Sequence, residues 1–269
     1  MINDVHVHMG GSHCTKEDFI AQLDTAGVEK ALLMSHQPKI FGADFSHGDA
    51  PEDRLGMLIE WAAAYPDKII PFHWIDPLED DVFEQIDRAL AAHIKGFKVI
   101  FNRSYPGDET SLRVCEHIAK AGKPMLFHSG ILYSDRPSSE YNRPIAFEPL
   151  LDIPNLRFAM AHISWPWCDE CIAVYGKWAY TRSRISSELF LDATPGTPRM
   201  YRKDVLSKLF DFDFPVEDNL LFGSDCFHYE PEKTSQYVTM DKAIFDEIGV
   251  TRDQQEKYFH KNFFRFIGE

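Results

Sequence analysis

Eight apolar runs of strand length recur along the chain, at Ile2 to Met9, Val28 to Ser35, Ile69 to Ile75, Ile94 to Phe101, Pro124 to Ser129, Leu156 to Ile163, Leu189 to Ala193 and Leu220 to Ser224. Most are β-branched or aromatic, and several are apolar on both faces, which is how strands of a parallel sheet covered on both sides read. Parallel neighbours need a crossover of a dozen or more residues, and the intervals supply it. Between the first two runs, Thr15 can cap a helix, Asp18 falls in its first turn, Phe19, Ile20 and Leu23 form an apolar stripe, and Gly27 stops it. Asp80 to Ala92 and Asp108 to Gly122 behave alike. Eight strand-plus-helix units in a chain of 269 residues match the size of a closed (β/α)8, or TIM, barrel of the α/β class. An open doubly wound sheet is the fallback, but no Gly-x-Gly-x-x-Gly follows the first run, and the Gly10-Gly11 pair is too short a signal. The longest interval contains a Gly/His/Asp-rich segment, His36 to Asp53, expected as an extended loop at the barrel mouth.

Composition supports one domain over residues 1–269: 44% hydrophobic and 13% aromatic residues are enough for a sizeable core, and no linker or low-complexity stretch divides the chain. A formal net charge of −14 gives no general attraction for phosphate backbones or anionic lipid. No apolar stretch approaches the length of a membrane span, and the start, Met1-Ile2-Asn3-Asp4, lacks the pattern of a secretory signal. The expectation is a soluble, cytoplasmic protein with a small-molecule substrate and neither nucleic acid nor membrane as partner. Five cysteines, Cys14, Cys115, Cys168, Cys171 and Cys226, are too sparse to staple such a chain and are expected reduced. Cys168-Asp169-Glu170-Cys171 has redox or zinc-ribbon spacing, but with no second cysteine pair it reads as the surface of a helix's first turn.

In such a barrel, function sits at the carboxyl ends of the strands. The first run ends Asp4-Val5-His6-Val7-His8, the fourth carries Lys98, the fifth ends in His128-Ser129, the sixth carries Met160-Ala161-His162, and the eighth leads to Gly223-Ser224-Asp225. Alternation along a strand puts His6 and His8 on one face with Cα atoms about 7 Å apart, so two imidazoles can converge on one ion. His128 could add a third nitrogen and Asp225 a carboxylate. A histidine and carboxylate site that leaves a position for water is a catalytic arrangement, whereas a structural zinc is closed by four protein ligands.

These motifs, together with Gly96-Phe97-Lys98 and the closing Lys261-Asn262-Phe263-Phe264-Arg265-Phe266-Ile267-Gly268, resemble the amidohydrolase superfamily over nearly the whole chain, within it the amidohydrolase-2 group of metal-dependent hydrolases and decarboxylases. The resemblance implies His6, His8, His128 and Asp225 as metal ligands and His162 as a catalytic residue facing the substrate. It implies a divalent transition metal, zinc or manganese first, although such ligands also accept iron and cobalt; one ion per chain is the expectation if Lys98 is a charge and not a bridging ligand. The reaction expected is attack of activated water on the carbonyl of an ester, lactone or amide, with Asp225 taking and returning the proton. The alternative is non-oxidative decarboxylation of an aromatic or unsaturated acid on much the same ligands. A metal-stabilised binding scaffold without turnover ranks third. A homodimer is compatible with the resemblance.

Several residues have two readings. Lys98 can be a structural or substrate-facing charge, or a carboxylated bridge between two metals as in the family's binuclear members. His73 can face the pocket or sit in the core. Arg136 and Arg143 flank the loop after the fifth run, Trp165 and Trp167 follow His162, and Arg199 follows the seventh run. They can form a cationic and aromatic rim for a carboxylated or ring substrate, or be solvated arginines and packing tryptophans. His36, His47 and His228 fall in mouth loops.

Overall fold

The computed structural model describes residues 1–10, 14–38, 51–134, 137–227 and 230–269. Gly11, His47, Arg136 and His228, with most of the expected mouth loop, lie outside the described residues. The strands are β1 (Asn3–His8), β2 (Lys30–Met34), β3 (Ile69–Trp74), β4 (Gly96–Val99), β5 (Met125–Phe127), β6 (Arg157–Met160), β7 (Glu188–Asp192), β8 (Leu220–Leu221) and β9 (Cys226–Phe227). All neighbours pair in parallel, in the order β8-β7-β6-β5-β4-β3-β2-β1-β9. The two end strands belong to one stretch of chain, so the sheet curls into a ring. Leu220 and Leu221 pair with β7, Phe222 accepts a hydrogen bond of 3.0 Å from the Val5 amide, and Cys226 and Phe227 pair with β1. The fold is the expected TIM barrel, with the eighth strand broken in two.

Outside the ring run α1 (Lys16–Ala26), α2 (Pro51–Ala64), α3 (Val82–Ala91), α4 (Glu109–Lys120), α5 (Cys168–Thr181), α6 (Arg199–Phe210) and α7 (Pro231–Ile248), followed by α8 (Arg252–Glu256) and α9 (Asn262–Ile267). Thr15 and Asp18 form a reciprocal capping box on α1, and Gly27 ends it with φ 71°. The crossover from β5 to β6 departs from the pattern. It is built of 3-10 turns, Ser139–Asn142 and Pro144–Asp152, and Pro149, inside the second, denies an α-helix an amide donor there. Cys168 and Cys171 open α5 as expected, but both are buried and do not form helix surface. Among the described residues, no helix is long and apolar enough to cross a membrane.

Strand alternation divides the apolar residues into two sets. Residues such as Ala31, Leu33, Phe97, Met125, Phe127 and Met160 pack outward beneath the helices. Leu32, Met34, Ile70, Phe72, Leu126, Ala159, Phe190 and Leu221 fill the ring, joined by Phe263, Phe266 and Ile267 of α9. The Phe266 ring lies 6.0 Å from Phe72 and 5.4 Å from Phe190, so α9 closes the end of the barrel where the strands begin. With that end plugged by apolar side chains, the carboxyl ends are the place left for polar groups.

Candidate metal centre

At the end of β1 the register against β2 shifts between Asp4 and Val7. Val5 packs inside the ring and Val7 outside, so alternation breaks between them, while His6 and His8 still turn to the same centre. Their Nε2 atoms are 3.1 Å apart. Asp225, held at φ 54° after β8, brings Oδ1 to 3.2 Å from His8 Nε2 and 3.3 Å from His6 Nε2. These three donors are spaced as ligands of one ion are: with bonds of about 2.1 Å, adjacent ligands stand roughly 3 Å apart. His162 joins from β6, and its ring, His6 and Asp225 each place a donor atom within 4.8 Å of the others. Neutral imidazoles and a carboxylate are suitable donors for a first-row divalent ion, so the residues fit one.

Asp4 clamps this arrangement from below. Its Oδ1 accepts the amides of His6 and Ser224, both at 3.0 Å, tying β1 to the segment that carries Asp225. Lys98 rises from β4 with Nζ 3.5 Å from His6 Nε2, fully buried. Burial sets the protonation of the group. It lowers Lys98 to about 8 against the pull of Asp225 and Asp192, and raises Asp4 to about 7 against the donors on its carboxylate. Burial holds His6 and His128 well below the ordinary imidazole value and His162 at about 3, so all three are neutral. Burial would raise Asp225, but the imidazoles of His6, His162 and His8 overcome it and hold the carboxyl well below its usual range.

The structure turns His128 away from the three donors. Its Nε2 donates to the Ile131 carbonyl at 3.1 Å, and its Nδ1 faces His162 Nε2 at 3.1 Å. A carbonyl can only accept, so the proton of neutral His128 is on Nε2, its Nδ1 accepts from His162 Nε2, and His162 Nδ1 is left as an acceptor. The hydroxyl of Thr194 lies 2.9 Å from that atom. His162 adopts a left-handed turn with Ile163 and Ser164, φ 65°, 45° and 54°, and its Nδ1 lies 4.0 Å from Asp225 Oδ2.

Other expected residues stand apart. His73 occupies the outer face of β3: Phe72 points inward, the Trp74 ring lies 5.5 Å from His8, and His73 between them bonds Ser35 Oγ at 3.2 Å beneath the helices. Arg143 pairs with Glu170 at 2.8 Å and covers the Trp167 ring, while Trp165 stacks on Tyr201 at the rim. Sequence reading passed over Asp192, although it ends its strand as the other polar residues end theirs. Its Oδ2 lies 2.6 Å from His6 Nδ1.

The sequence model of a family described as Amidohydrolase matches residues 4–267. No curated protein matches the chain. Among solved structures, an uncharacterised TIM-barrel protein from Bordetella bronchiseptica is similar at 18% identity and TM-score 0.73, covering 100% of this chain and 99% of its own. A probable 2-pyrone-4,6-dicarboxylic acid hydrolase from Acinetobacter baumannii is similar at 12% identity and TM-score 0.66, with coverage of 100% and 99%. A 5-carboxyvanillate decarboxylase from Novosphingobium aromaticivorans, solved with bound manganese, is similar at 12% identity and TM-score 0.65, with coverage of 100% and 97%.

Proposed function

The chain belongs to the amidohydrolase family, whose members are metal-dependent enzymes acting on small molecules, and from that premise we propose that it hydrolyses an ester, lactone or amide bond. The observation that carries this reading is the convergence of His6 Nε2, His8 Nε2 and Asp225 Oδ1 within 3.3 Å of one another. They would hold one zinc or manganese ion, with His162 beside it. The ion supplies acidification of water and polarisation of the carbonyl.

The remaining chemistry belongs to the chain. Asp225 turns Oδ1 to His6 and His8 and leaves Oδ2 on the His162 side, 4.0 Å from Nδ1. Oδ2, on a carboxyl held ionised, takes the proton of the attacking water and returns it to the leaving oxygen or nitrogen. His162 borders the same space, with its Nδ1 2.9 Å from Thr194 Oγ1 and 4.0 Å from Asp225 Oδ2. Lys98 places Nζ 3.5 Å from His6 Nε2, and we propose one ion per chain. Among the described residues, Arg54, Arg103 and Arg143 at the mouth are engaged by the carbonyls of His36 and Trp74, by Asp76 and by Glu170. One feature supports the decarboxylase as a second reading: the rings of Trp74 and Phe227 flank His8 at 5.5 and 6.1 Å, walls that suit a planar acid.

The test combines metal content with the fate of labelled water. The wild type is expected to retain one equivalent of ion and the His6→Ala/His8→Ala variant none. Across a screen of lactones, esters and amides, turnover in 18O-water should place the label in the product carboxyl, and Asp225→Asn should lower kcat about 10²- to 10⁴-fold. Release of CO₂ from an aromatic acid without label uptake would replace hydrolysis by decarboxylation.

A further inference from the structure

The chain leaving β7 touches both His6 and His162, and neither Asp192 nor Thr194 has a place in the hydrolytic scheme. Asp192 is completely buried. Its Oδ1 accepts the Thr194 amide at 2.9 Å and its Oδ2 lies 2.6 Å from His6 Nδ1. Thr194 Oγ1 lies 3.2 Å from that same Oδ2 and 2.9 Å from His162 Nδ1, and accepts the His162 amide at 3.2 Å. The contacts are close on every side. A Cβ on Gly196 would lie 2.6 Å from His162 Cβ, and one on Gly223 would lie 2.8 Å from His6 Cβ and 2.9 Å from Asp192 Oδ1.

We propose that Asp192 is a positioning residue which decides which ring nitrogen of His6 is presented as an acceptor to the centre and, with Thr194 as its intermediary, whether the Nδ1 lone pair that His128 leaves on His162 is covered or free. The proposal rests on the metal-centre reading for its functional meaning. A neutral imidazole carries one proton, and an acceptor held against Nδ1 draws it there, leaving the Nε2 lone pair pointing the other way. Asp192 does this for His6, whose Nε2 faces His8 and Asp225. Thr194 has a single hydroxyl proton and two acceptors in reach. Directed at His162 Nδ1, it occupies that lone pair; rotated to Asp192 Oδ2, it frees the lone pair toward Asp225. One carboxylate therefore holds the proton of His6 and offers the alternative seat for the proton that covers His162.

Substitution with asparagine separates this role from bulk. The Thr194 amide requires an oxygen at the Oδ1 position, so in Asp192→Asn the side-chain NH₂ turns toward His6 Nδ1 and opposes a second donor there. Histidine 15N spectra of the metal-free protein should show the His6 proton on Nδ1 in the wild type and on Nε2 in Asp192→Asn. Zinc affinity, measured by chelator competition, should fall about 10- to 100-fold in the variant. Thr194→Val should change the His162 signals alone, and Thr194→Ser should restore them. Retention of the Nδ1 proton with zinc affinity within about threefold of wild type in a folded Asp192→Asn would overturn the proposal. If that variant does not fold, unchanged His162 signals in Thr194→Val overturn it instead. A wild type that binds no zinc or manganese defeats the metal-centre reading, while the spectra still decide the positioning role.

Discussion

His73 and His6 are both buried histidines on inner strands of one barrel, and the difference between them is the face of the strand each occupies. His6 turns into the ring among donors that need its lone pair. His73 turns out beneath α2 and α3, where burial, with Arg54 and Arg88 nearby, lowers it to about 3. Its folded value therefore lies below the unfolded value of about 6.5. Above pH 6.5 both states are neutral at this position and the full stability is present. As pH falls, the unfolded chain takes up a proton that the folded chain refuses, so stability is lost progressively down to about pH 3. Urea unfolding of metal-free His73→Gln at pH 7 and pH 4 should show an acid loss smaller than that of the wild type by on the order of 3 kcal/mol. An identical loss would mean that His73 titrates normally. At this scale the sequence showed residue types well, and His6, His8, His162 and Asp225 converge as polar strand ends should. Asp192 was equally visible as the close of Leu189-Phe190-Leu191-Asp192, but its partner lies 186 residues away and no local pattern points to it.

At the scale of elements, each strand end is aimed by a loop whose backbone is itself held. The left-handed run His162 to Ser164 costs roughly 1 kcal/mol or more per residue, and side chains fix it from both neighbours. Ser129 Oγ donates to the Ala161 carbonyl, Ser164 Oγ meets Ser129 Oγ at 2.8 Å, and Thr197 donates to the His162 carbonyl at 3.2 Å. After β8 the same task falls to Gly223, where a Cβ would stand 2.4 Å from Thr194 Cγ2. Gly223→Ala should cost about 1–3 kcal/mol by overpacking and push His6 and Asp192 apart. Thermal unfolding combined with zinc titration checks it: lost stability with unchanged zinc affinity would show that the contact is packing alone. Helix ends such as Thr15 and Gly27 were legible because caps are local. The 3-10 crossover after β5 and the broken eighth strand were not, since long-range pairing decides where a short ladder starts and stops.

At the scale of the molecule, the barrel separates a plugged apolar end from a polar mouth. Phe266 is fully buried against Phe72 and Phe190, and α9 is anchored by Asn262 donating to the Glu217 and Leu220 carbonyls at 2.8 Å. Phe266→Ala should destabilise the fold by about 3–5 kcal/mol while leaving one equivalent of ion bound, because the cavity opens at the end remote from the donors. Calorimetry and metal analysis on the same sample test this. Loss of the ion from a protein that remains folded would mean that the two ends are coupled through the packed interior.

The eight apolar runs determined the architecture without help from the structure, because strand burial and helix caps are encoded over a few residues and the closed ring is the packing that satisfies all of them. They also placed polar residues at the strand ends, although alternation breaks between Val5 and Val7 and His128, His162 and Asp225 lie just beyond their strands. Which nitrogen each imidazole presents, that His128 bonds a backbone carbonyl while His162 approaches Asp225, and that Asp192 stands behind His6 were decided only by the tertiary structure. A hydrogen bond depends on tenths of an ångström between groups that the sequence separates by up to 186 residues, and only the closed barrel sets those distances.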